Sequence, residues 1–335
     1  MIFLFCLALQ DAGRIPLPDA VRFQPELSAD GKWVYYFEEI ARADKFPKHA
    51  RNAALFRATP DGKTVEKVVE VGNSAGGVYW HPDGTHLLVL RRVDDDGADG
   101  KIDFRDGESL WMGELDGKNG QILVPASSKR LSLYAPLSDG KLILGLRDAA
   151  DRPAKVVVRD AQGKDEELVE CWSYLAGAQG EDWIAVRDGA ETKWHRFSRA
   201  QKTRHDPLDA RIVGTPLQAG DRLWYVCKKE SKSVLVVCDK EGKDPKELTQ
   251  GDEVFTLVGA WNGGVLCQIS RENETEFVQV SVDGKRDSVR TVQGSCLDAR
   301  TSQDGKRFVF LRVRETTGDN HPTPWEDAGD LYVLP

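Results

Sequence analysis

A chain of 335 residues is long enough for one large core or two smaller ones, and a formal net charge of −8 argues against general affinity for nucleic acid or an anionic lipid surface. Its six cysteines, Cys6, Cys171, Cys227, Cys238, Cys267 and Cys296, are too few to staple a fold of this size and too widely spaced for a structural zinc site. They are expected as buried thiols in strands, and a disulfide between Cys227 and Cys238 in CKKESKSVLVVC requires a register that sets them opposite one another.

The chain opens with MIFLFCLALQDAG, in which an apolar run from Ile2 to Leu9 meets a polar break. Residues 1–12 read as a short export signal, which implies a periplasmic or secreted protein; without a signal at Met1 to Gln10 the protein is cytoplasmic. No segment approaches the roughly 20 apolar residues of a membrane span, so no integral membrane segment is expected.

From residue 13 onward, short alternating runs follow turn signals and no sustained helical stripe appears. The turns centre on Gly31, Gly84, Gly140, Gly180, Gly220, Gly263 and Gly305, in phrases such as SADGKWVYYF, HPDGTHLLVL and SQDGKRFVFL. Their spacings are 53, 56, 40, 40, 43 and 42 residues. Most units then supply a third strand and a second turn, as in ALFRATPDGK and EFVQVSVDGK. Asp-Gly suits such hairpins because glycine accepts positive φ while aspartate bonds its own backbone. Four strands in about 40 residues make a propeller blade. The expected fold is therefore all-β: a seven-bladed β-propeller of four-stranded antiparallel blades occupying residues 13–335 as a single domain, with six blades the alternative. The last unit ends at DLYVLP without a fourth strand, and Gly13 to Phe23 is expected to supply it. Trp33, Trp80, Trp183 and Trp224 recur beside the turns and are expected to pack the blades.

The recurring PDGK and SADGKWVYY phrases resemble the TolB-like, WD40-like propellers built from a short xPDG repeat, and the likeness covers nearly all of the chain after its N-terminal segment. That resemblance implies the propeller fold rather than any one role.

Blade 2 is lengthened by residues 93–108, which include DDGADGKIDFRD. Counted from Asp95, these residues fall into a twelve-position calcium register. Asp95 stands at position one, Asp99 at five, Gly100 at six, the Lys101 carbonyl at seven, the apolar Ile102 at eight, Asp103 at nine and Asp106 at twelve. The stretch resembles the calcium loops of EF-hand and dockerin modules, although Gly97 occupies position three and strands rather than helices flank it. The competing reading is a solvated polar loop without an ion. A second excursion, in blade 7, holds Glu315, Asp319, Glu326 and Asp327 in an echo of the spacing, a weaker second calcium candidate. A third, in blade 1, is basic, with Arg42, Lys45, Lys48, His49 and Arg51.

All three excursions are expected between the second and third strands of their blades. Closure of the ring would make blades 7, 1 and 2 neighbours, so these loops would form one raised rim. The function expected on these grounds is a non-enzymatic interaction module, calcium-stabilised, that binds a protein, peptide or glycan through this blade 7-1-2 face. The alternative is an extracytoplasmic enzyme acting on a saccharide or peptide at the propeller channel. GNSAGG places Gly72, Ser74 and Gly76 in a GxSxG pattern, but it leads into VYWHPDG, another β-turn, where a hydrolase elbow needs a helix. The histidines at 49, 81, 86, 195, 205 and 321 show no close metal-binding pair, and no phosphate-binding or dinucleotide motif is present.

Overall fold

The structure, a computed structural model, describes residues 12–41, 44–47, 50–73, 76–95, 99–103, 105–127, 129–149, 151–177, 181–188, 191–208, 211–230, 232–251, 253, 255–271, 273–314 and 329–335. Residues 1–11, which hold nearly all of the signal-like segment, lie outside that set. The described chain is all-β and forms seven antiparallel sheets in succession, the seven blades of a β-propeller. Blade 1 runs from Arg22 to Gly72, blade 2 from Val78 to Val124, blade 3 from Arg130 to Cys171 and blade 4 from Ser173 to Pro207. Blades 5, 6 and 7 run from Ile212 to Gly251, Phe255 to Gln293 and Cys296 to Leu334. The first six have four strands in chain order, and blade 7 has three. Seven sheets set aside the six-bladed alternative. Among the described residues no helix is long and apolar enough to cross a membrane.

The second strand of most blades is an unbroken apolar run because neighbouring sheets cover both of its faces. Val34 to Phe37, Leu87 to Leu90 and Phe308 to Leu311 are all buried. Outermost strands such as Arg286–Gln293 read as mostly polar and exposed. The turns between first and second strands of blades 1 and 7 share one hydrogen-bonded device. Ser28 Oγ donates to Asp30 Oδ1, Lys32 N donates to the same oxygen at 3.0 Å, and Trp33 N returns to Ser28 Oγ. Ser302, Asp304, Lys306 and Arg307 repeat it. In blade 1, Thr59, Asp61 and Lys63 use it again between the third and fourth strands. The glycine at the bend has φ +63 at Gly31 and φ +64 at Gly305, the left-handed region that side chains disfavour.

By its packing the chain divides into two compact units, Met1–Glu38 with Phe56–Glu66 and Ala210–Pro335, and Glu39–Leu55 with Lys67–Asp209. In the first unit, blade 7 gains its missing pairing from the N-terminal segment. Arg14 bridges to Tyr332, Ile15 N donates to Leu331 O at 2.8 Å, and Val333 N donates to Gly13 O at 2.9 Å. The pairing is shorter than Gly13 to Phe23. Pro16 and Pro18 carry no N–H with which to continue it, Leu17 N turns back to Ile15 O, and Arg22 and Phe23 already belong to the first strand of blade 1.

Ile15 and Leu17 are buried with Leu27, Val34, Tyr36, Val309, Leu311 and Leu331, so the closing segment is also part of a core. Arg22, 2% exposed, donates to Gly329 O and pairs with Glu38 at 2.8 Å, joining blade 1 to blade 7. Gln24 and Asp298 are bulge residues with φ of 48 and 51, and Gln24 N donates to Asp298 Oδ2. Trp224 and Trp261 lie in the cores of blades 5 to 7, Trp33 is half-buried under the Arg57 guanidinium at 4.1 Å, and Trp80 is half-buried.

In the second unit, Leu88, Leu110, Leu133 and Leu144 join blades 2 and 3. Ile143, Val156, Tyr174 and Ile184 join blades 3 and 4. Trp183 is buried in blade 4. Asp182, fully buried there, accepts from Arg199 through both oxygens at 2.9 Å, from Gly177 N and from the Tyr174 hydroxyl. A buried charge held by this many donors is a structural tie.

The five described cysteines are buried and free. Register pairs Cys227 with Val234 and Cys238 with Leu223, so the two thiols sit on different rungs and form no cross-strand bond. Burial pushes the Cys171, Cys238, Cys267 and Cys296 thiols up to about 12.

Candidate functional site

The excursions of blades 1 and 2 leave their sheets where the sequence places them, between second and third strands. The first fills the interval between Val34–Glu39 and Ala53–Ala58, and the second that between His86–Arg91 and Ser109–Glu114. The base of the first is clamped by Ile40 N donating to Asn52 O and by Asn52 Nδ2 donating to Ala41 O at 2.7 Å. The base of the second is fixed by Arg92, which is buried. Its backbone N–H donates to Val71 O, and its guanidinium reaches Asp106 O at 2.8 Å, Asn73 O at 2.8 Å and the Glu108 carboxylate at 3.4 Å.

The two excursions dock on each other. Ile102 N donates to Lys45 O at 2.8 Å, Lys45 Nζ donates to Val93 O at 3.2 Å, and Ile102 is buried against Phe46 and Ala50. A satellite core of this kind fixes loops that would otherwise be free to move. The sequence marks Ile102 only as the apolar eighth position of the calcium register, and nothing in the register points to Phe46 or Ala50. Their signal is faint: two apolar residues within a basic loop.

The calcium-register residues divide into two groups. Asp95, half-buried, accepts from Asp99 N at 3.2 Å and Gly100 N at 2.6 Å, so the loop does curl at Gly100, where φ is +81. Asp99 and Lys101 are exposed, and Lys101 N donates to Asp99 Oδ1. Asp103 and Asp106 are buried; Asp103 accepts from Arg105 N at 2.8 Å and Asp106 from Asp103 N at 2.7 Å. Among the described residues no three His, Cys, Asp or Glu side chains are grouped to hold a metal ion. Asp96, Gly97 and Ala98 lie outside the described residues. So do Arg42, Lys48 and His49 of the basic excursion, Ser74 of GNSAGG, and the whole of 315–328 with Glu315, Asp319, Glu326 and Asp327.

The structure adds one constellation. His81 and His86 both direct Nδ1 at Asp83 Oδ2, at 3.0 and 2.7 Å. Desolvation opposes it, yet the backbone N–H of Thr85, the His86 ring and the other donors hold the Asp83 carboxyl well below its ordinary value. The HPDGTH spacing carries that signal, since the turn folds the two histidines back over its aspartate.

No protein-family model matches the chain, and no curated protein matches it. Solved structures do. The β-propeller domain of the Trilobed protease from Pyrococcus furiosus, described as having an open velcro topology, is similar at 15% identity over 94% of this chain and 95% of its own, with a TM-score of 0.66. A chain from a structural and mechanistic study of two prolyl endopeptidases is similar at 16% identity over 88% of this chain and 47% of its own, with a TM-score of 0.64. TolB from Acinetobacter baumannii is similar at 13% identity over 68% of this chain and 53% of its own, with a TM-score of 0.47. This chain thus spans about half the length of the prolyl endopeptidase it matches. At such identities the likeness is one of fold, and the fold is that of a β-propeller.

Proposed function

We propose that this protein is a non-enzymatic interaction module that holds a protein, peptide or glycan partner on the excursions of blades 1 and 2, together with that of blade 7. The observation that supports this most is the docking of a basic excursion onto an acidic one through Ile102, Phe46 and Ala50, with both loop bases clamped. Preordered loops of opposite charge lower the ordering cost of binding and select a partner by charge pattern. Export to the periplasm or beyond belongs to the same reading. The test is an array of proteins, peptides and glycans probed with the parent chain and with a variant in which all three excursions are replaced by short turns. Loss of binding at unchanged melting temperature is expected; retention of every bound partner refutes it.

A calcium ion at Asp95, Asp99, the Lys101 carbonyl, Asp103 and Asp106 is part of the proposal. All four carboxylates accept backbone N–H groups in this structure, but Asp95 and Asp99 lie nearer the solvent and have lone pairs left for a cation, whereas Asp103 and Asp106 are buried. Six to eight oxygen ligands therefore require the second half to turn toward the ion. Calorimetric titration of metal-stripped protein should give calcium heat that Asp99→Asn with Asp103→Asn removes. No heat and no gain in stability in the parent refutes the calcium site.

A second reading, an enzyme acting on a peptide or saccharide, draws on the likeness to propellers of proteases. It requires turnover of a peptide or glycan library by the purified chain, where the module gives binding without turnover.

A further inference from the structure

The turns joining first and second strands in blades 5, 6 and 7 enclose a cleft of about 440 Å³, and a second of about 430 Å³ lies beside the third-to-fourth-strand turns of blades 5 and 6. Arg222 and Val282 line both, so the two meet there. Each volume is within the ~300–1,000 Å³ of ordinary ligand clefts. The lining includes no residue of the blade 1 or blade 2 excursion. We infer that the joined cleft binds a short extended peptide segment carrying a basic side chain, with Asp221 and Asp304 taking the cation and Val282 an adjoining apolar side chain.

Three features carry this. The cleft runs from the first turn of a blade to its second, about two strand spacings or ~10 Å, which matches about three residues of extended chain. Its floor is fixed rather than loose, because Asn262 N donates to Gly305 O and ties the turns of blades 6 and 7, while a Cβ at Gly220 or Gly263 would meet only open space. At its waist Val282 leaves 37% of its surface in water, an apolar contact ready to be covered.

Charge selects the ligand. Asp221, Asp244, Asp283 and Asp304 line the two clefts against Arg222 and Lys246. Lys246 Nζ already donates to Val282 O, and Arg222 stands 3.7 Å from Asp221, whose side chain is 83% exposed. The acidic excess favours a cation over an anion, and the peptide N–H and C=O groups of an extended segment suit turns that expose backbone.

The test immobilises two degenerate pentapeptide pools that differ only in a central Lys or Glu and measures retention of the full chain. At least fivefold preference for the Lys pool is expected, lost in Asp221→Lys and reduced in Val282→Ser. Because the protein is acidic overall, Asp148→Lys in blade 3, at a side chain 80% exposed, changes the net charge identically and serves as the comparison. No preference in the parent, or an equal loss in Asp148→Lys and Asp221→Lys, overturns the inference. Ile102→Ala leaves the preference intact, so this site and the excursion surface fail independently.

Discussion

Ile15→Ala tests whether the N-terminal segment is part of the propeller or a tail laid against it. Ile15 is 1% exposed and packs into the blade 7 and blade 1 core, while its N–H donates to Leu331 O. Removing three carbons at ~0.8 kcal/mol each, with a further cost for the cavity, predicts a loss of about 2–4 kcal/mol. Arg14→Ala removes a 2.9 Å ion pair to Asp330 from a side chain 34% exposed, and Arg314 still pairs with Asp330, so that loss should stay below about 1 kcal/mol. Urea denaturation followed by near-UV circular dichroism reads both. Hydrogen exchange gives a local check, since the amides of Ile15 and Val333 should lose protection together in Ile15→Ala. An Ile15→Ala variant within about 0.5 kcal/mol of the parent, where ordinary surface substitutions fall, refutes the closing role.

Ile102→Ala should release both excursions at once, so that limited proteolysis cuts 40–52 and 93–108 faster while the melting temperature changes little; faster cleavage in only one refutes their docking. Gly117 has φ +85 and a Cβ there would lie 2.2 Å from Val68 O, whereas Gly163, with φ +80, faces open space. Chemical denaturation should therefore show Gly117→Ala costing about 1–3 kcal/mol more than Gly163→Ala, and equal losses would count against the close turn packing. The Thr59 hydroxyl and then the Lys63 N–H hold the Asp61 carboxyl down at about 2. Its folded value lies below its ordinary one, so its stabilising contribution is present above about pH 4 and is lost as pH falls toward 2. Asp61→Asn should flatten the stability curve across that window, and an unchanged slope refutes the turn's electrostatics.

The blade count was legible because its signals are local. Each glycine-centred turn, Ser-x-Asp-Gly-Lys in blades 1 and 7, is marked by its own residues, and the excursions are visible as interruptions of a regular spacing. What was illegible depends on residues far apart in sequence. The seating of Ile102 on Phe46 joins two blades, so the apolar position appeared only as part of a metal register. The burial of Asp103 and Asp106 follows from that seating and from Arg92, and it turns two expected ligands toward backbone N–H groups. The Cys227 and Cys238 register depends on a hairpin bend near Glu230, which the thiol spacing alone does not locate. Pro16 shortened the closing pairing in a way the sequence does state, since its missing N–H is a local property.

Arg14 and Asp330 are 316 positions apart, yet they pair directly. Contacts of such long range add loop-closure entropy and slow folding. During synthesis, Gly13 to Ile15 emerge early and wait without a partner until the strand Gly329–Leu334 is made. Until then the second strand of blade 7, Phe308–Val313, has no outer neighbour, and an unpaired apolar strand is prone to pair with another chain. The ring's last hydrogen bonds are therefore expected to set its folding time and the interval during which it can aggregate.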